Sequence, residues 1–326
     1  MNKLLLVFLL SYFSLNTFAQ SENPSLFPVF SDIEIANFKS NNIKTISKYE
    51  MIKDEKGVEE KKLNEKIIFN DQYQIIAWQS KNNFTQSIEN FEYFYELNKL
   101  IKRVKKINSV IIESIDLKYD EKNRLKNYIT SNEKNRLYTN LYRYDENGNI
   151  SAFKVLRYTS YGMHLQIIEK KYSIDNLLEQ EDVYEVKGEG EKKLSKQIFY
   201  TYDGKLLIQK QEVNNANDED FIEKYRYNDK NQIAEVGYFS DNKKQYSITY
   251  EYDVKNKIIK QENKDAENKI IFSIVNEYNA NERLIKTIEK SKDNIEVINT
   301  YNSNQLLSGQ TIHKNESITT IKIEYQ

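Results

Sequence analysis

Cysteine is absent from all 326 residues, which excludes a disulfide framework, a thiol nucleophile, a thiolate metal site and a lipid-anchor cysteine. Histidine is nearly as scarce: His164, read as part of a variable loop, and His313 near the end are the two in the chain. Residues so far apart offer neither zinc ligands at a workable spacing nor a nucleophile–base couple. The eight glycines form no phosphate-binding loop, and acids sit beside lysines, as in Glu189, Glu191 and Lys192, rather than in isolated pairs. Net charge is lacking too, with 48 basic against 49 acidic residues, which leaves no electrostatic footprint for nucleic acid. The expectation is a chain that is not an enzyme and needs no cofactor or metal. Asn214 to Asp220 form an oxygen-rich loop of the kind calcium favours, but without the ligand spacing of a calcium loop.

Long apolar runs are confined to the start. Lys3, the stretch Leu4 to Leu10 with Tyr12 to Leu15, and Thr17-Phe18-Ala19 have the order of a secretory leader. Cleavage after Ala19 is expected to leave a mature chain beginning at Gln20, with a charge balance of 47 − 49 = −2 once Lys3 is gone. No later stretch approaches the roughly 20 uncharged apolar residues of a membrane-spanning helix. Proline is limited to Pro24 and Pro28. So few breakers argue against a linker-rich or disordered chain.

What is abundant is a repeat. An aromatic residue followed six positions on by Ile or Leu recurs from Phe69 to Tyr325, clearest at Tyr119–Leu125, Tyr144–Ile150, Tyr227–Ile233 and Tyr252–Ile258. Weaker copies start at Phe69, Tyr95, Tyr172, Tyr202, Tyr278, Tyr301 and Tyr325, and (325 − 69)/10 gives a period near 26. Each motif reads as a tight hairpin. A three-residue loop needs a left-handed residue at its third position, and Asn123, Gly148, Asn231 and Asn256 stand there. The shorter Asp203-Gly204 copy suggests a two-residue type I′ turn.

Before each anchor the chain alternates as a half-buried strand does: Tyr252, Tyr250, Ile248 and Tyr246 share one face, and Glu251, Thr249 and Ser247 the other. The expected fold is therefore all-β, an antiparallel β-hairpin repeat array of on the order of 20 strands. Open sheets of more than ~10 strands curl. The expectation is thus an open, curled, solenoid-like single-layer sheet. Its organisation reads as a leader at 1–19, an N-terminal lead-in and cap at 20–60 with a helix over 32–40, and repeats at 61–326.

The Tyr-x-Tyr-Asp-x-x-Gly/Asn-x-Ile/Leu pattern of these copies resembles the YD repeats of RHS-like bacterial surface and toxin-delivery proteins over roughly residues 67 to 326. The resemblance implies a β-strip that spirals, in the largest members into a hollow shell around a toxin domain. Here Asn often replaces the motif Gly and the array is short, so a small exported relative without a closed shell is expected.

The functional expectation is a secreted or periplasmic binding scaffold at the cell envelope, whose partner is a protein or a cell-surface glycan. A carbohydrate-binding module and a polysaccharide-acting enzyme stand as alternatives. The connections opposite the tight turns vary in length, which is how repeat proteins often build a binding edge. The candidate ligand-binding residues are the tyrosine ladder: Tyr142, Tyr144, Tyr200, Tyr202, Tyr225, Tyr227, Tyr250 and Tyr252. Such a ladder serves equally as a core or as flat faces with hydroxyls for sugars.

Overall fold

The computed structural model describes residues 26–326 apart from positions 29, 31, 54–58, 83–84, 188–189, 216–218, 291–293, 305 and 316, so the expected leader at 1–19 lies outside the described residues. One helix, α1 (Asp32–Ser40), comes first. It is followed by β1 (Thr45–Lys53), β2 (Glu59–Phe69), β3 (Ile75–Lys81), β4 (Ile88–Glu96), β5 (Lys99–Ile107), β6 (Val110–Tyr119), β7 (Leu125–Ser131), β8 (Arg136–Tyr144), β9 (Ile150–Thr159), β10 (Gly162–Tyr172) and β11 (Leu178–Lys187). The second half comprises β12 (Glu191–Asp203), β13 (Leu206–Asn214), β14 (Glu219–Tyr227), β15 (Ile233–Ser240), β16 (Lys243–Tyr252), β17 (Ile258–Asp265), β18 (Ile270–Tyr278), β19 (Leu284–Lys290), β20 (Ile295–Tyr301), β21 (Leu307–Lys314) and β22 (Ser317–Tyr325).

The turns after the even-numbered strands follow from their residues. Asn123, Asn231 and Asn256 take φ of 66°, 60° and 67°, and Gly148 takes 90°. The first loop side chain accepts from the backbone that closes the turn, as Asp145 Oδ1 does from the Asn149 N–H at 2.8 Å and Asn228 Oδ1 from the Gln232 N–H at 3.0 Å. Beyond the loop Tyr119 pairs with Leu125, Tyr144 with Ile150, Tyr227 with Ile233 and Tyr252 with Ile258, with a register shift beside each pair. That shift is the bulge a type I turn with a left-handed third residue imposes. The Asp203-Gly204 turn differs from expectation. Asp203 pairs with Leu206 around Gly204 and Lys205, and of these two central residues Gly204 alone has positive φ, the pattern of a type II′ turn rather than I′.

Every strand pairs antiparallel with the next, and β22 pairs back onto β1, so the 22-stranded sheet closes into a barrel. The open, curled, solenoid-like sheet expected from the sequence is overturned by this pairing. β1, expected to lie in the cap, is a stave of the barrel: Ile46 faces Tyr325 and Met51 faces Thr320 on one side, while Ile46 faces Ile67 on the other. The physical reason is edge satisfaction. A terminal strand presents a row of unpaired N–H and C=O groups, and pairing the two ends removes both rows at once. At the seam Lys44 and Thr45 both donate to the Gln326 carbonyl at 2.7 Å, and Gln326 N–H returns a bond to Thr45 O at 2.9 Å.

The helix α1 ends in a left-handed cap. Asn42 at φ 51° lets its own N–H reach Lys39 O at 3.2 Å and the Ile43 N–H reach Phe38 O at 2.9 Å. Phe38 and Ile43, brought together by that cap, are both buried. Phe38 packs against Phe30, Phe69 and Tyr325, with ring centroids 5.2, 5.7 and 6.2 Å away, so the helix lies over the seam strands. The core cluster runs from Phe38 through Ile67, Phe91, Ile115, Tyr142 and Val183, all on the face that carries the tyrosines. Most of the buried apolar side chains lie on this tyrosine face.

Candidate functional site

The anchor tyrosines do more than fill the sheet face. Ten hydroxyls in succession donate to a main-chain carbonyl of the preceding hairpin: Tyr95 to Ile75, Tyr119 to Leu100, Tyr144 to Leu125, Tyr172 to Ile150, Tyr202 to Leu178, Tyr227 to Leu207, Tyr252 to Ile233, Tyr278 to Ile258, Tyr301 to Leu284 and Tyr325 to Leu307, at 2.6–3.1 Å. The carbonyl in each case belongs to the first or second residue of the strand that leaves the preceding tight turn, beside its bulge. There the ladder to the neighbouring strand has already ended. The hydroxyl supplies a partner for a carbonyl that has left the ladder, joined at Ile258 and Leu284 by the side-chain amides of Asn276 and Asn299. Every latch ties one hairpin to the one before it.

Four of the eight candidate ligand-binding residues, Tyr144, Tyr202, Tyr227 and Tyr252, are thus latch residues. Burial holds their hydroxyls above the ordinary tyrosine range, Tyr252 to about 12, so they remain protonated donors. The other four lie two residues earlier on the same strands. Tyr142 is buried, stacked on Phe153 at 5.8 Å, and Tyr200 donates to Glu181 Oε1 at 2.7 Å. Tyr225 donates to Glu223, and burial raises Tyr250 as well. The structure brings all eight onto one face, but in two separate stretches of the ring, β8 and β12–β16.

Sequence reasoning passed over the aromatic group nearer the variable edge. Tyr238 and Tyr246 stack with centroids 4.2 Å apart and planes 14° off parallel. Phe221 lies on the same face and, like Tyr246, is exposed. Glu223, across from Tyr238, accepts from Lys210 Nζ at 3.0 Å. Its signal in the sequence was the continued alternation of Tyr246, Ile248 and Tyr250 beyond the motif. His164 sits on strand β10 opposite Arg157 rather than in a loop, and His313 sits on β21 opposite Glu296. Of the oxygen-rich segment, Asn217 and Asp218 lie outside the described residues, and Asp220 accepts from Gln211 Nε2 at 3.1 Å. Among the described residues no group of three or more His, Asp or Glu side chains is placed to hold a metal ion.

The variable edge carries exposed apolar side chains on most of its connections, among them Phe221, Ile270, Ile271 and Ile318, and four consecutive connections in the first half of the ring all have them. On those four they are Ile88 at the start of β4, Val110 and Ile112 at the start of β6, Tyr138 on β8, and Tyr161 with Met163 around the start of β10. Tyr161 is 97% exposed and Met163 56%. The tight-turn edge has exposed apolar residues too, at Leu97, Ile174 and Val254 on loop tips and at Ile76, Phe94 and Ile208 on the adjoining strand ends.

Both faces of the ring hold charge. On the tyrosine face Lys105 pairs with Glu89 at 3.0 Å, Arg103 pairs with Glu113, and Lys170 approaches Glu181 at 3.7 Å. The other face carries Arg226–Glu235, Lys260–Glu251 and Lys286–Glu296 pairs at 2.7, 3.1 and 2.6 Å.

No protein-family model matches the chain, and no curated protein does. Among solved structures, crystal structures of TcdB2-TccC3 and of TcdB2-TccC3-Cdc42 are similar at 11% identity each, with TM-scores of 0.36 and 0.35. The match covers 83% and 80% of this chain but 17% and 16% of those chains, so this chain spans less than a fifth of their length. A porin-like protein from Bacteroides uniformis is similar at 8% identity and TM-score 0.31, over 87% of this chain and 98% of that one.

Proposed function

We propose that the protein is an exported, non-enzymatic β-barrel scaffold at the bacterial cell envelope that holds a protein partner on its variable edge. The observation that carries this reading is the run of exposed apolar side chains from Ile88 to Met163, set on four neighbouring connections of an otherwise latched ring. Tyr138 lies on the tyrosine face and Met163 on the opposite one, so these side chains rim the edge from both faces rather than form one flat patch. Exposed apolar side chains grouped along an edge are a mark of interaction sites. The leader-like start supports export. Charged pairs on both faces support a ring that stands in water, because a lipid-facing barrel surface needs an apolar band. The test compares envelope partners retained by the native chain with those retained by an Ile112→Ser, Tyr161→Ser, Met163→Ser variant of unchanged circular dichroism. A partner lost by the variant supports the reading. Identical partner sets contradict it.

A second reading, glycan binding, is favoured by the stacked Tyr238–Tyr246 pair with exposed Phe221 beside it, a flat aromatic surface with polar neighbours. A glycan array separates the two. Sugar binding that disappears in Tyr246→Ala supports the second reading, and an array without signal removes it.

A further inference from the structure

We propose that the described residues between Leu26 and Ile43 form a clasp that holds the barrel closed, and that Tyr73 is the grip by which the ring retains it. The seam has six register pairs between β1 and β22, from Ile46–Tyr325 to Met51–Thr320, a pairing of ordinary length for this ring, where β19–β20 has four and β3–β4 five. It is where the tyrosine latch is interrupted, because the anchor on β2 is Phe69, which has no hydroxyl. The clasp lies over this interruption. Phe38 fills the space between Phe69 and Tyr325, one from each side of the seam. Asn304, in the β20–β21 turn, donates to Asn41 Oδ1 at 2.9 Å. Farther round, Tyr93 on β4 donates to Leu26 O at 2.9 Å and stacks on Phe27 at 5.0 Å. One short segment therefore touches the ring on both sides of the join.

Tyr73 shows that the contact has been kept at a local cost. It occupies the third loop position of the β2–β3 turn, at φ 61°, where Asn123, Gly148, Asn231 and Asn256 stand in other turns of the ring. An aromatic residue there is strained by Cβ crowding, and such outliers persist where the surroundings hold them. The ring of Tyr73 lies under Lys44 Nζ at 3.9 Å, and its hydroxyl approaches Asn42 Oδ1 at 3.3 Å. Its contacts are to the exit of α1. Among the described turns of this length the other departure from Asn or Gly is Glu282 at φ 62°, and it too makes contacts outside its own turn, to Lys255 and Lys257. The clasp is thus a conformational device: displacing it loosens the seam and bares two strand edges, which are templates for pairing with another chain.

The chain has no cysteine, so spin labels can be placed at will in the full-length protein. Labels at Gln72→Cys and Ser303→Cys flank the seam, and a control pair at Lys122→Cys and Glu146→Cys reports two adjacent turns elsewhere in the ring. The native chain should give one narrow distance for each pair. In Phe38→Asp and in Tyr73→Asn the seam distance should broaden and lengthen while the control distance stays narrow. Should Phe38→Asp also disturb the control pair, Tyr73→Asn decides, because Asn is the better residue for that turn. An unchanged seam distance in Tyr73→Asn overturns the proposal. So does a seam and control pair that broaden together in that variant, which would make Tyr73 a determinant of the whole fold and not of the join.

Discussion

At the residue scale the left-handed loop position is the feature on which each hairpin turns, and its chemistry accounts for both the choice of residue and the cost of changing it. Gly148 stands at φ 90°, and a Cβ built there meets nothing within 4 Å. Space is therefore not the constraint; backbone strain is. Gly148→Val should cost roughly 1–2 kcal/mol, since a β-branched residue is disfavoured at positive φ. Gly148→Asn should be nearly silent, because Asn holds the equivalent place at Asn123 and Asn231. Denaturant midpoints of the two variants check this, and equal losses would contradict it. This much was legible in the sequence, because Asn and Gly are the residue types that enter positive φ most easily, and here they recur at a fixed offset from Tyr. The Gly204 turn was not, because the dipeptide Asp-Gly fits two turn types whose difference lies in where the flanking strands stop pairing.

At the element scale the tyrosine latch makes consecutive hairpins interdependent. Tyr144→Phe keeps the ring in place but leaves the Leu125 carbonyl without its 2.6 Å donor. The expected loss is about 1 kcal/mol, the usual net worth of one hydrogen bond. Double-mutant comparison with Tyr252→Phe, on β16 rather than β8, should be additive. Burial pushes Tyr95 and Tyr252 up to about 12 and raises Tyr119, Tyr144, Tyr202, Tyr227, Tyr301 and Tyr325 as well. A phenol whose folded pKa lies above its unfolded value near 10 binds its proton more tightly in the native state. Its stabilising contribution is complete below about pH 10 and is lost as pH rises toward and through the folded value near 12 for Tyr95 and Tyr252. Phenolate absorbance should therefore rise together with loss of β-type circular dichroism on alkaline titration. Titration of these tyrosines near pH 10 in a chain that stays folded would contradict the latch. The sequence does carry a trace of it: the eleven anchors are tyrosine at all positions but Phe69, and a core needs the ring without the hydroxyl. That preference is the mark of a hydrogen bond.

At the scale of the whole molecule the decisive fact is closure, and it was the part least legible in the sequence. Strand periodicity sets which residues share a face, but says nothing of whether the first strand meets the last. The segment Thr45–Lys53 lacks the anchor motif and reads as a lead-in, yet it completes the ring by pairing with both Glu59–Phe69 and Ser317–Tyr325. Long-range pairing of this kind depends on the accumulated twist and tilt of every intervening strand, which no local pattern encodes. Once the ring is closed, no strand edge remains to be protected, and the need for a polar terminal cap disappears.

Hydrogen exchange at the join tests closure most directly. Amides of residues 46–51 and 320–325, resolved one by one, report whether β1 and β22 share a ladder. A closed barrel protects alternate amides on both sides of β1, to a degree comparable with the β14–β15 pairing in the middle of the chain. An open sheet leaves the outward-pointing amides of both terminal strands exchanging at the rate of free peptide, and that result would contradict the closed ring.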